Sequence, residues 1–205
     1  MPRLVLNDED YSLEKQPESW GELLEFFERD ASTRGEVVTA VRFDGVEEPT
    51  FRGRAVVERP LGEVELVEVE TATPGDLIDE ALAQGASAIA SLVQATGRTG
   101  EAFRGADLVG ANQQLAELGE AIRSLISILN TGAVALGVSL DRMEWNGRPV
   151  SMQLSELVGQ LESIIDAQQA HDWLTVADIL EYDFQPALST WGPVFHALRE
   201  QIPAA

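Results

Sequence analysis

The chain has 205 residues, no cysteine, and 35 acidic against 14 basic side chains, a formal net charge of −21. The missing cysteines exclude disulfides, a thiolate nucleophile and any cysteine-held zinc or iron–sulfur centre, and the acid excess disfavours nucleic acid and anionic membrane, which both need neutralising cations. A hydrophobic fraction of 44% allows a full core, while no apolar run reaches the roughly 18 residues of a membrane span.

The acid is spread evenly. Residues 1–72 carry 18 acids and 8 bases, and residues 73–205 carry 17 and 6, a pattern that reads as solvated surface. The opening Met1-Pro2-Arg3-Leu4-Val5-Leu6 holds no apolar region long enough for a signal peptide, so cytoplasmic location is expected.

Residues 3–7 alternate weakly and predict a strand. Asp8-Glu9-Asp10 reads as a turn and residues 11–15 as the returning strand. Ser19-Trp20-Gly21-Glu22 fits a capping box, with Ser19 accepting from an early helical N–H and Glu22 reaching back to the N-cap N–H. Leu23, Leu24, Phe26 and Phe27 then share one face of a helix over residues 20–31, with Gly35 at its exit. Val37, Val38, Ala40, Val41 and Phe43 form a β-rich run ended by Asp44-Gly45. Residues 51–57 predict another strand, and residues 64–70 a further one whose acidic face is wet.

Strand, strand, helix, strand, strand, strand is an order that resembles a β-grasp, or ubiquitin-like, module over the first third of the chain. The chain ends Ile202-Pro203-Ala204-Ala205 and not in the Gly-Gly of conjugating ubiquitin-like proteins. Tagging and sulfur carriage are therefore not expected of it.

Thr71-Ala72-Thr73-Pro74-Gly75-Asp76 marks a boundary, with Thr73 as N-cap, Pro74 at the first helical position and Asp76 near the positive end of the dipole. The helix from residue 74 to about 96 sets Leu77, Ile78, Ala81, Leu82, Gly85, Ile89, Leu92 and Val93 on one side. Gly85 and the alanines after it invite a close backbone neighbour, and residues 97–100 predict a break. The strongest pattern runs over residues 103–130. Leu108, Leu115, Ile122 and Leu129 recur every seven residues, and Ala111, Leu118 and Leu125 form a second series offset by three. That apolar seam needs other helices to bury it.

Between the seam helix and the next, Asn146-Gly147 predicts a type I′ turn in a small hairpin or arm. Ser151 then reads as the cap of a helix with core positions Leu154, Leu157, Val158, Leu161, Ile164 and Ile165. Asp172 caps another, with Trp173, Val176, Ala177, Leu180 and Phe184 inward and Pro186 ending or kinking it. A last short helix starts at Trp191-Gly192-Pro193 and runs through Glu200. The predicted fold is α+β: a small N-terminal mixed sheet with one helix over residues 1–72, then an antiparallel four- or five-helix bundle over residues 73–205.

Chemical motifs are scarce. The two histidines lack the Glu-x-x-His of bundle di-metal sites, because Gln168 and Pro193 stand three residues before His171 and His196. His171 is expected at a helix junction, bonded to backbone, with a metal-binding bundle as the alternative. Asp178, Glu181 and Asp183 are the densest acids of the last third. They read as an exposed stripe, against the alternative of a magnesium-dependent enzyme. Nucleotide-binding glycine loops and a nucleophile elbow are absent from the sequence.

Arg52 and Arg54 would point the same way from one strand and could meet an anion or acidic peptide, or simply balance Glu36, Glu47, Glu48 and Glu58. Trp145 and Arg148 flank the Asn-Gly turn, and Trp and Arg are enriched at interface hot spots. Trp145 either contacts a partner or folds back as a plug. These four residues are the candidate interaction sites. The expected function is a non-enzymatic adaptor or assembly protein with no cofactor, contacting a protein partner or a second copy of itself as a homodimer.

Overall fold

The structure, a computed structural model, describes residues 2–13 and 17–203. The chain divides into two compact units, Met1–Leu77 and Ile78–Ala205.

The first unit is a five-stranded mixed sheet crossed by one helix. Its strands are β1 (Arg3–Leu6), β2 (Glu9–Tyr11), β3 (Val37–Phe43), β4 (Val46–Glu47) and β5 (Leu66–Ala72), in the order β2-β1-β5-β3-β4. β1 and β5 pair in parallel, and the other neighbours are antiparallel. Helix α1 (Trp20–Thr33) lies in the connection between the hairpins, as the β-grasp resemblance implies. The first turn sits earlier than the sequence suggests. Asn7 and Asp8 take it, both at positive φ, and Glu9 and Asp10 already belong to β2. Asn7 accepts from the Thr71 N–H at 2.8 Å and donates to the Thr71 hydroxyl at 3.0 Å, tying this turn to the end of β5. Residues 14 and 15 of the expected return strand lie outside the described residues.

Ser19 caps α1 by accepting from the Glu22 N–H, but the Glu22 carboxylate reaches Glu18 N at 3.0 Å and not the N-cap's own N–H. Trp20, Leu23, Leu24 and Phe27 are buried against Leu4, Val38, Val41, Phe43, Val67 and Val69 of the sheet. Trp20 anchors this core. Its ring meets Phe43 edge-on at 5.2 Å, and its Nε1 donates to the Phe51 carbonyl at 2.7 Å.

The strand expected over residues 51–57 does not form. Gly53 N–H donates back to Thr50 O at 2.6 Å, and the chain then turns into a short helix, α2 (Arg54–Val57). A Cβ at Gly53 would lie 2.9 Å from Thr50 O, so glycine permits this tight turn. Phe51 is buried as a single plug and not as one of an alternating row.

The second unit is all helix except for one small hairpin. Its helices are α3 (Pro74–Arg104), α4 (Leu108–Ala135), α5 (Val150–Gln169), α6 (Trp173–Asp178), α7 (Gln185–Ser189) and α8 (Gly192–Arg199). A π-helical stretch, Ile179–Phe184, joins α6 to α7, so the three read as one rod and the bundle has five members. The wide turn precedes Pro186, whose missing N–H would interrupt ordinary α bonding there. Thr73 and Asp76 cap α3 reciprocally: Asp76 N donates to the Thr73 hydroxyl at 3.1 Å, and that hydroxyl donates to the Asp76 carboxylate at 2.7 Å.

Two expected helix limits are corrected. Residues 97–100 do not break α3, which runs on to Arg104. The glycines there admit close neighbours: a Cβ at Gly97 would lie 2.9 Å from the Gln185 amide, and one at Gly100 would lie 3.4 Å from Ala177 O. The break comes instead at residues 105–107, inside the seam pattern, where Asp107 caps α4 by accepting from Gly110 N at 2.9 Å. Ser151 is likewise not a cap. Helix α5 begins at Val150 behind Pro149, with no side-chain cap.

Five of the seven heptad positions are buried, while Leu108 and Leu115 are only partly covered. Ala111, Leu118, Ile122, Leu125 and Leu129 join Leu82, Ile89, Phe103, Leu157, Ile164, Leu180, Phe184 and Phe195 in one core. Gly85 makes room for the Phe195 ring, whose Cε1 would lie 2.6 Å from an added Cβ, so the close neighbour is an aromatic ring and not a backbone. Among the described residues no helix is long and apolar enough to cross a membrane.

Candidate functional site

The candidate residues fall in three places. Arg52 and Arg54 do not share a strand. Arg52 sits in the turn before α2, where it donates to Glu28 at 2.9 Å and to Val38 O at 3.0 Å and lies over the Phe51 ring. Arg54 opens α2 and, among the described residues, pairs with Glu58 one turn on, with 94% of its side chain exposed. Arg52 and Arg54 therefore do not stand side by side on one strand face, and Arg52 balances Glu28.

The Asn146-Gly147 turn is formed as the sequence predicts, with both residues at positive φ between β6 (Glu144–Trp145) and β7 (Arg148–Pro149). Trp145 is half-buried and packs against the helical core, the plug of the two readings. Its Nε1 is buried and has no acceptor among the described residues. The hairpin is tied down to α5: Gln153 donates to Trp145 O at 2.8 Å and to Arg148 O at 3.1 Å, and Arg148 pairs with Glu156. The Arg148 hydrogen bond holds the Glu156 carboxyl below its ordinary range. Arg148 is thus paired within its own chain, in a contact that about half of each side chain still shares with solvent.

His171 sits at the α5–α6 junction with φ of +58°, its Nδ1 3.1 Å from Gln169 O and its ring edge-on to Trp173. Asp172 caps α6 through Thr175 N at 3.1 Å and the Thr175 hydroxyl at 2.8 Å, which together hold its carboxyl below the usual range. Asp178 and Glu181 converge on Arg104 at the end of α3, with Asp178 2.6 Å from Nη2 and Glu181 on Nη1. Their acceptor oxygens face a guanidinium, an arrangement that joins the α3 C-terminus to the π-helical stretch. No group of three metal-ligating side chains is gathered among the described residues.

What the sequence did not single out is a groove of about 470 Å³ between α4 and α5. The two helices run antiparallel, and Gln168 donates to Asn112 at 2.6 Å across one end. The walls are Leu115 and Ile126 from α4 and Val158, Leu161, Ile164 and Ile165 from α5, with Ala116 and Gly119 leaving the α4 side shallow. Val158 and Ile165 were expected in the core, but they are 37% and 48% exposed. They lie at one edge of an apolar arc on α5 that is wider than the bundle covers. The signal was in the sequence, since six apolar positions in twelve residues exceed a single seam. Periodicity cannot say which edge of the arc stays open.

The opposite side of the same helix pair is closed. There Leu125, Leu129, Leu154 and Leu157 meet Trp191 and Phe195 at the start of and within α8. A second cleft, of about 590 Å³, lies between α3 and α4 and is more polar, with Arg98, Glu101, Gln114 and Glu117 on its walls.

A family model described as a domain of unknown function (DUF8042) matches residues 80–194. The chain belongs to this family. No curated protein and no solved structure matches it. The DUF8042 region begins early in α3 and ends in α8, so it contains the α4–α5 groove and the hairpin, while the sheet unit lies outside it.

Proposed function

We propose that this protein is a non-enzymatic adaptor or assembly protein that works through protein–protein contacts. The observation that carries the reading is the open aliphatic face between α4 and α5, where Val158 and Ile165 remain exposed while Leu157 and Ile164 beside them are buried in the core. Contiguous apolar surface left in water is unfavourable unless something covers it. The ionisable groups that sequence reasoning raised as chemistry support the same reading through their partners: Arg104 engages Asp178 and Glu181, and His171 contacts backbone. The cysteine-free sequence is in keeping with work in the cytoplasm.

Affinity purification of the full chain from its source cell, beside an Ile165→Ser variant, tests the reading. A partner retained by the parent and lost by the variant is expected. Stoichiometric iron, manganese or zinc in the purified protein, released by His171→Ala, would overturn it in favour of a metal-binding bundle.

A further inference from the structure

The α4–α5 groove has a charge as well as a shape, and the charge selects its occupant. Helix α5 carries Glu156, Glu162 and Asp166 and no Lys or Arg along its length. Glu162 and Asp166 are exposed and each follows a groove residue, Leu161 and Ile165, by one position. Glu162 stands one turn after Val158 and one turn before Ile165, beside the open edge of the groove, and Asp166 follows Glu162 by a turn. Across the gap Glu120 lies on the α4 rim, and the one cation there, Arg123, is already held at 2.6 Å by both Glu120 oxygens. Among the described residues, Glu162 and Asp166 meet no cation. The oily floor is thus bordered on the α5 side by carboxylates without a cation, while the Glu120–Arg123 pair on the α4 side balances itself.

Resting on the adaptor reading above, we propose that this groove binds an amphipathic helix of another protein whose apolar stripe is flanked by Lys or Arg. Such a helix places its leucine-like side chains on Leu115, Ile126, Val158 and Ile165 and its cations beside Glu162 and Asp166. From Ala116 to Ile126, and from Val158 to Gln168, each wall runs for roughly 15 Å, about three turns of a docked helix. A second copy of this chain is the poorer occupant. It would set Glu120, Glu162 and Asp166 against acidic surface again, with a net charge of −21 on each chain.

The test uses the full chain and three synthetic peptides, each long enough to hold a helix, about 18 residues. One carries a leucine stripe flanked by Lys and Arg. The second has the same stripe flanked by Glu. The third is the basic peptide scrambled so that no stripe forms. Binding followed by fluorescence anisotropy is expected to favour the first by about tenfold or more over each of the others. Ile165→Ser, and separately the pair Glu162→Lys with Asp166→Lys, should each weaken it by about tenfold. All three positions are exposed, and unchanged circular dichroism verifies that the variants fold.

Equal binding of the acidic peptide would overturn the charge argument and leave the adaptor reading standing. A particle of twice 22.3 kDa in light scattering that Ile165→Ser returns to one chain would assign the groove to self-association and overturn the proposal. Undiminished binding of the basic peptide to Ile165→Ser would mean attraction to an acidic surface alone, and the groove proposal would fall. No binding by any of the three peptides to a monomeric chain would overturn the groove proposal, and the adaptor reading would then stand or fall on the affinity purification alone.

Discussion

Two glycines make opposite predictions for the same substitution. Gly85 lies inside α3, and a Cβ there would stand 2.6 Å from Cε1 and 2.8 Å from Cδ1 of Phe195, a ring with no exposed surface. Gly119 lies inside α4 with nothing within 4 Å of the corresponding point. Replacing glycine by alanine in a helix interior gains about 1 kcal/mol from propensity alone. At Gly119 that gain should appear undiminished. At Gly85 it is opposed by overpacking of about 1–3 kcal/mol, with the upper end expected because the clash is with a ring that cannot retract into solvent. The net expectation is a loss of about 1–2 kcal/mol for Gly85→Ala and a gain of about 1 kcal/mol for Gly119→Ala. Urea unfolding followed at 222 nm reads the helices, and the midpoints should move in opposite directions at constant slope. In a Phe195→Leu background the cost of Gly85→Ala should largely vanish, because the coupling runs through that ring. If Gly85→Ala stabilises the chain as much as Gly119→Ala does, the packing of α8 on α3 described above is wrong.

Other consequences follow from single contacts. Arg104→Met should lower the melting temperature at low salt and much less at high salt, because the contacts of Arg104 with Asp178 and Glu181 are partly exposed and therefore screened; an equal effect at both would contradict this. Trp145→Phe should cost under about 1 kcal/mol, since the lost indole area is offset by removing a buried donor with no acceptor, whereas Trp145→Ala should cost more, about 2–4 kcal/mol. The Asp172 carboxyl sits below its ordinary range in the folded chain, first through the Thr175 hydroxyl and then through the Thr175 N–H. The unfolded chain therefore binds the extra proton, and the cap's contribution is present above about pH 4 and lost as pH falls through the lower folded value. Asp172→Asn keeps an N-cap acceptor but should flatten that part of the acid unfolding curve.

Legibility followed the length of the signal. The α4 seam repeats over three heptads, and Ala111, Leu118, Ile122, Leu125 and Leu129 are buried, while Leu108 and Leu115 at its start are only partly covered. Asn146-Gly147 and Asp44-Gly45 carry their turn geometry locally, and both pairs adopt the positive φ they suggest. Failures came where tertiary contact outweighed local rules. Gly97 and Gly100 look like a helix end until Gln185 and Ala177 supply a reason for having no side chain. Residues 51–57 look like a strand because Phe51, Val56 and Val57 are β-formers, but Gly53 lets the chain turn back on Thr50. Of the candidate sites, the cations Arg52 and Arg148 and the acids Asp178 and Glu181 were legible as charges. Their partners Glu28, Glu156 and Arg104 were not, because pairing across 24, 8 and 74 residues leaves no periodic trace.

The groove can be separated from the core by cost. Leu157 and Ile164 lie one position before Val158 and Ile165 on the same helix, yet the first pair is almost completely buried and the second is not. Leu157→Ala or Ile164→Ala should cost about 2–5 kcal/mol, as large-to-small changes in a packed interior do. Val158→Ser and Ile165→Ser should each stay within about 0.5 kcal/mol of the parent, since water already reaches these side chains. An apolar stripe whose removal leaves the isolated chain as stable as before is not explained by folding, and it is the surface on which a partner's affinity should depend. If the two serine variants unfold as readily as the alanine variants, Val158 and Ile165 belong to the interior, and the face between α4 and α5 is part of the bundle and not a place for another helix.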